Sequence, residues 1–244
     1  MAQVDLYRQA LRARDPSEWV PYLTSESGLP GPRANLSLMR AVAEEGPPPL
    51  LRSYAFADDE YLAACGTVGL GRLMAQGDPT AEDELRGQAQ DGRWRVREAV
   101  AIALQLVGET DPDRALTVAE QWAGHPSLLV RRAAVAAACE PFLVAEPAAA
   151  VRVLDMLGSI TSDLALLPES ERRTDPFRVL RQALGYGWSV AVAAAPDPGF
   201  DRLEQLESMD DPDVRWIVYK NAGKARIRKA DPIRFERLIE RLQG

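Results

Sequence analysis

The chain has little of what catalytic centres are most often built from. One histidine, His125, stands among 244 residues, and the two cysteines, Cys65 and Cys139, are far apart in the sequence. A Cys/His nucleophile pair and a zinc site both need more than this, so no metal and no cofactor is expected. No glycine-rich loop follows a strand-like segment. Gly66, Gly69 and Gly71 fall inside a helical pattern, which removes the phosphate-cradling loop. No run of about 18 apolar residues occurs, so a membrane-spanning helix is not expected. The opening Met1-Ala-Gln-Val-Asp-Leu-Tyr-Arg8 lacks the basic, apolar and small-residue order of a secretory signal. Both cysteines lie in alanine-rich helical patterns and read as buried free thiols, which together with the missing signal points to the cytoplasm. Phenylalanine is scarce and lysine scarcer: Lys220, Lys224 and Lys229 are the only three, all near the C-terminus.

What is present is a repeat. An apolar residue followed by arginine recurs at Val96-Arg97, Val130-Arg131, Leu180-Arg181 and Val214-Arg215, with spacings of 34, 50 and 34. An acid followed by proline recurs at Asp111-Pro112, Glu146-Pro147, Asp197-Pro198 and Asp231-Pro232, with spacings of 35, 51 and 34. Both series lengthen by about 16 in the same place, so one repeat carries an insertion, placed at about 158–175. A period in the mid-thirties made of two helical patterns predicts an all-α fold, a right-handed α-solenoid of about six helical hairpins forming a single domain over 1–244. First helices are expected to open at the acid-proline steps, where the acid caps free amides and proline occupies N1. They run at about 113–123, 148–158, 199–208 and 233–242. Second helices are expected at about 94–107, 128–143, 177–194 and 213–229. Upstream, helices at about 3–13 and 16–25 form an N-terminal cap within residues 1–27, followed by helices at 34–45, 58–74 and 79–90. The stretch Glu44-Glu-Gly-Pro-Pro-Pro49 reads as a break, and the insertion as a loop or short helix.

The segments Asp91-Gly-Arg-Trp-Arg-Val-Arg-Glu-Ala-Val100, His125-Pro-Ser-Leu-Leu-Val-Arg-Arg-Ala-Ala134 and Asp211-Pro-Asp-Val-Arg-Trp216 resemble HEAT repeats, in which an Asp-containing turn and Val-Arg lead into the second helix. His125 stands in place of that aspartate in one of them. The resemblance covers about 80–243 well and 15–79 loosely, and it implies a non-catalytic scaffold. The segment Trp216-Ile-Val-Tyr-Lys-Asn-Ala-Gly-Lys-Ala-Arg226 is distantly similar to the alkylpurine DNA glycosylases with HEAT-like repeats. That likeness implies nucleic-acid binding on a concave face, with a catalytic aspartate beside tryptophans. Here Trp188 is followed by Ser189-Val-Ala-Val192, so the aspartate pattern is absent.

Charge is the remaining signal. Net charge is −7, yet residues 214–241 hold nine basic and three acidic side chains, a local charge of +6 on a body of −13. Arg97, Arg131, Arg181 and Arg215 read as a ladder tying each second helix to a neighbouring acidic turn, such as Asp91, Asp175 or Asp211; a phosphate ladder is the alternative. Positions one and five residues after each arginine share a helix face. They are Glu98, Arg132, Gln182 and Trp216, then Ile102, Ala136, Tyr186 and Lys220, and their chemistry changes from repeat to repeat. A recognition groove gives this picture, and so does drift on an exposed face. Tyr186 and Trp188 are the candidate aromatics of that groove. In the last repeat, about 211–244, Lys220, Lys224 and Arg228 recur every four residues behind Trp216. Such a ridge is either a docking surface or the charged outer face a terminal repeat needs for solubility. The reading is a binding scaffold whose partner is a protein, acidic where it meets the last repeat. Nucleic acid is the alternative partner.

Overall fold

A computed structural model describes residues 2–243. Among the described residues every regular element is helical: sixteen α-helices and one short 3-10 turn, with no strand. No described helix is long and apolar enough to cross a membrane. The helices gather into two compact units, one ending at Asp111 and the other beginning at Pro112.

The first unit contains α1 (Gln3–Arg12), α2 (Trp19–Glu26), α3 (Leu36–Glu45), α4 (Pro48–Ala55), α5 (Glu60–Ala75), α6 (Ala81–Gln88) and α7 (Trp94–Gly108). α3, α5 and α7 pack side by side, while α4 packs against α5, and α6 against α5 and α7. α4 lies where the proline run suggested only a break. Pro47 is extended and Pro48 sits in the first turn, so the run starts a helix instead of ending one. Side-chain caps set the starts of α3 and α5: Asn35 accepts from the Leu38 amide at 3.0 Å, and Asp59 from that of Leu62 at 2.9 Å. The exposed end of α3 is closed by Arg72 of α5, which donates to the carbonyls of Glu44 and Gly46 at 2.8 and 2.6 Å.

α5 is buried on nearly every side from Tyr61 to Met74, as a helix must be that is apolar around its whole circumference. Its glycines let it sit in the centre. A Cβ at Gly66 would run into the backbone of α4, 2.5 Å from the Leu51 carbonyl oxygen and 2.6 Å from the Ala55 Cα. One at Gly71 would lie 2.7 Å from the Ala103 Cα of α7. The helices meet here backbone to backbone.

The second unit contains α8 (Pro112–Ala123), α9 (Leu128–Ala138), α10 (Pro147–Ala165), α11 (Glu169–Arg172), α12 (Asp175–Ala194), α13 (Pro196–Glu207), α14 (Pro212–Ala222), α15 (Ala225–Ala230) and α16 (Pro232–Gln243). α8, α10, α13 and α16 form one layer, each touching the next; α9, α12 and α14 form the other. The two-layer beat follows the sequence repeat, but three boundaries differ. α9 stops at Ala138 because Pro141 follows closely and disfavours further helix before it. α10 runs seven residues beyond 158, to Ala165, so the first half of the insertion is regular helix, and α11 occupies much of the rest. The helix expected over 213–229 is broken: α14 ends at Ala222, Gly223 follows, and Lys224 adopts an extended conformation before α15 begins. Glycine at that point favours the stop, and the Lys224 amide turns back to the Asn221 carbonyl at 2.9 Å.

The acid-proline steps do less capping than expected. Asp231 accepts from the Ile233 and Arg234 amides at 3.0 and 2.9 Å. Glu146 makes no side-chain cap, and Asp197 lies inside α13, which already starts at Pro196. The arginine ladder is also mixed. Arg97 donates to the carbonyls of Asp91 and Gly92 in its own turn, at 2.6 and 2.9 Å. Arg131 bonds the His125 carbonyl at 2.6 Å and reaches Asp163 at 3.0 Å. Arg181 pairs with Asp213 of the next hairpin. Arg215 is exposed and makes no ion pair among the described residues.

The insertion is pinned rather than loose. Arg172 donates to the Ala165 and Leu167 carbonyls at 2.5 and 3.0 Å, closing the end of α10. The same guanidinium pairs with Asp211 at 2.8 Å and Asp213 at 3.1 Å, at the start of α14. Burial alone would raise the Asp211 pKa, but the Val214 amide and Arg172 outweigh it and hold the carboxyl below its usual range.

Two outcomes follow from this packing. Gly66→Ala should cost about 1–3 kcal/mol through overpacking and lower Tm, whereas Gly87→Ala, on an open face of α6, should be neutral or stabilising; equal Tm values would contradict the close-approach account. Because the folded pKa of Asp211 is depressed, its contribution is complete above about pH 4 and fades as the pH falls through the lower folded value. The destabilisation caused by Arg172→Ala, read from denaturant titrations, should therefore shrink on acidification, and a penalty constant from neutral to acid pH would refute this.

Candidate functional site

The candidate positions are divided between the two units. Glu98, with Ile102, lies on α7 in the first unit and lines an apolar pocket with Met39, Leu36 and Trp94. The others belong to the second unit. Arg132 is half-buried on α9, and Gln182 is exposed on α12. Trp188 is not a groove aromatic. It is fully buried, and its indole Nε1 donates to the Thr161 hydroxyl of α10 at 3.2 Å. The turn of α12 that presents Tyr186 to solvent carries Trp188 into the core, so the pairing of these two aromatics is corrected.

Tyr186, Trp216, Lys220, Lys224 and Arg228 do come together, through α12, α14 and α15. Gly185 makes room for the Trp216 ring, since a Cβ there would fall 2.8 Å from it. The Arg181 guanidinium stacks 4.4 Å from the ring centre, and the Lys220 Nζ lies 5.5 Å from it. Tyr186 forms a second platform. Lys224 Nζ is 5.4 Å and the Arg226 guanidinium 4.9 Å from its ring, and Arg226 also donates to the Tyr186 hydroxyl at 2.8 Å.

Lys220 and Lys224 link both platforms to an open cleft of about 1040 Å³ formed by α14, α15 and α16. Among the described residues, Lys220, Lys224, Arg228 and Lys229 are its cations, and no carboxylate lines it. Ala222, Ala225, Phe235 and Ile239 supply an apolar floor, with Tyr219 and Pro232 beside it. The helix break at Gly223 changes the expected geometry. Lys220, Lys224 and Arg228 do not form one stripe on a continuous helix; they converge on a cleft because the chain bends between them. Lys220 lies in the last turn of α14, and Arg228 and Lys229 in that of α15. There the partial negative charge of free carbonyls partly offsets cations that have no carboxylate partner.

That lack of partners sets the cleft apart. Elsewhere many arginines are held on acids: Arg8 and Arg12 on Glu45, Arg52 on Asp78 and Glu84, Arg152 on Asp113 and Glu120. Even on α16, Arg234 pairs with Asp201 and Glu204, and Arg241 with Glu204. None of the three lysines, nor Arg228, makes an ion pair with a described carboxylate. Four of the nine basic side chains of residues 214–241 thus meet at the cleft.

A residue that sequence reasoning missed fixes this region. Asn221 is completely buried between α14 and α12. Its amide nitrogen donates to the carbonyls of Leu184 and Ile217 at 2.9 and 2.8 Å, and its oxygen accepts from the Ser189 amide at 2.8 Å. The available signal is a lone polar residue in an apolar register, between Ile217-Val218 and Ala222. Neither cysteine offers chemistry. Both are buried, and burial pushes the Cys139 thiol up to about 12, which suppresses the thiolate. Among the described residues no three His, Cys, Asp or Glu side chains converge to hold a metal ion.

Residues 38–139 match the family model for HEAT repeats. No curated protein matches the chain. Among solved structures it is similar to a designed armadillo repeat protein in complex with the peptide (KR)4, at 15% identity and a TM-score of 0.43, covering 90% of this chain and 98% of that one. A second designed armadillo repeat protein gives 15% identity, a TM-score of 0.40 and the same coverage. An engineered protein gives 16% identity and a TM-score of 0.41 over 95% of this chain and 100% of that one.

Replacing Asn221 by Ala removes the buried bonds that join it to the Ser189 amide and the Leu184 carbonyl and should cost about 1–3 kcal/mol. Denaturant unfolding checks this; an unchanged midpoint would show that Asn221 does not tie the two helices together.

Proposed function

Since the chain is a HEAT-like repeat protein, we propose that it works by binding, without a catalytic step, and that its last repeat docks an acidic segment of a protein partner. The observation that carries this reading is the cleft with four cations and, among the described residues, no ion-pair partner for any of them. An exposed cation is well hydrated and can remain alone at little cost, so charge by itself proves no ligand. Here, however, many arginines elsewhere in the chain are held on carboxylates, while the four cations gathered at the cleft have none among the described residues. A carboxylate-bearing segment would complete at the cleft the pairing the rest of the protein makes internally.

The nucleic-acid alternative has less support. The body surrounding the basic end sums to −13, and its field would repel a phosphate backbone extending beyond the cleft. The tryptophan that could have flanked a base, Trp188, is in the core. No described carboxylate side chain lines the cleft to do glycosylase chemistry.

The test is binding of a labelled poly-Glu peptide to the whole chain and to its Lys220→Ala/Lys224→Ala/Arg228→Ala variant, over a range of salt concentrations. The variant should keep its helical circular dichroism and lose at least about tenfold in affinity, with wild-type binding weakening steeply as salt rises. Equal affinity in variant and wild type would overturn the proposal. Unfolding of the variant would instead mark the three cations as structural.

A further inference from the structure

Charge accounts for only half of the cleft. Its floor is apolar, and part of that surface is uncovered: Tyr219 is 61% exposed, and Phe235 and Ile239 are only half-buried on α16. Leu238 is the one fully buried side chain described on that helix. A free phosphate or a string of carboxylates would satisfy the cations and leave this floor wet. A purely apolar segment would cover the floor and strand four cations. We infer that the cleft recognises an amphipathic acidic peptide, one that sets a large apolar side chain among carboxylates. This rests on the binding role proposed above and narrows it to one partner chemistry.

The placement of the groups fits such a ligand. Lys220, Lys224, Arg228 and Lys229 surround the floor formed by Phe235 and Ile239, so an anchor entering the middle would carry flanking carboxylates to the rim. Three of these four cations are lysines. A lysine is a point charge on a flexible stem, able to meet carboxylates at irregular spacing, whereas arginine's planar fork favours fixed bidentate geometry. The volume of about 1040 Å³ is ample for a large side chain with neighbouring backbone.

Fluorescence anisotropy with the whole chain tests this, using three labelled probes: an acidic peptide with interspersed Leu and Trp, a poly-Glu peptide of equal length, and a single-stranded oligonucleotide. The amphipathic peptide should bind about tenfold or more tighter than poly-Glu, the effect of burying one large apolar side chain. Tyr219→Ala, at an exposed position that does not threaten folding, should weaken the amphipathic peptide severalfold and leave poly-Glu unchanged. Phe235→Ala, provided its circular dichroism matches wild type, should do the same. Equal affinity for the two peptides would overturn the inference while leaving the acidic-partner reading intact. Binding of neither peptide would remove both. An oligonucleotide that outcompetes both peptides would replace both with nucleic-acid recognition.

Discussion

Helices that meet at backbone distance are the constraint on which the rest of this structure depends. A hairpin cannot bury its apolar face alone, so each one is stable only through its neighbours. In the first unit the crossings are closest at Gly66 and Gly71, where α5 touches the main chain of α4 and α7. In the second, Gly187 rests against Cys139 and Val135, and Gly199 against Val192. Missing side chains at these points leave no slack, and they explain why each unit, with few large aromatics, can still build a close-packed core.

Close packing of the apolar layer leaves polar work to the edges, and arginine does most of it. Arg72 and Arg172 both close the carbonyl end of a helix, and Arg172 goes on to hold the insertion against the next hairpin through Asp211 and Asp213. Long reach and several donors let one guanidinium satisfy a helix end and an acid together. Lysine has no part in that network. The three lysines fall around one cleft, with Arg228 beside them.

The two-layer repeat was legible because it rests on periodicity, and the proline and Val-Arg markers repeat with the fold. Boundaries set by single residues were less so. Gly223 inside an otherwise helical pattern reads as a tolerated glycine, yet it ends α14 and turns Lys220, Lys224 and Arg228 from a stripe into the walls of a cleft. The proline run before α4 reads equally as a stop and a start, and only packing against α5 decides. Trp188 and Tyr186 are two residues apart on one helix, and sequence spacing alone does not say which one faces the core. The partners of Arg172 and Asn221 were invisible because they lie 39 and 32–37 residues away, across hairpins. The cationic end itself was visible in composition; that the four cations of the cleft have no described carboxylate beside them, while Arg234 and Arg241 do, required the ion pairs to be seen.

The most direct measurement uses the lysines themselves as reporters. Reductive ¹³C-methylation keeps their charge and gives NMR signals from three side chains, all of which line the cleft. On titration with an acidic peptide, the signals of Lys220, Lys224 and Lys229 should shift together and return towards their free positions as salt is added. If the peptide binds while these signals stay unmoved, the cleft is not the docking surface and the account is wrong.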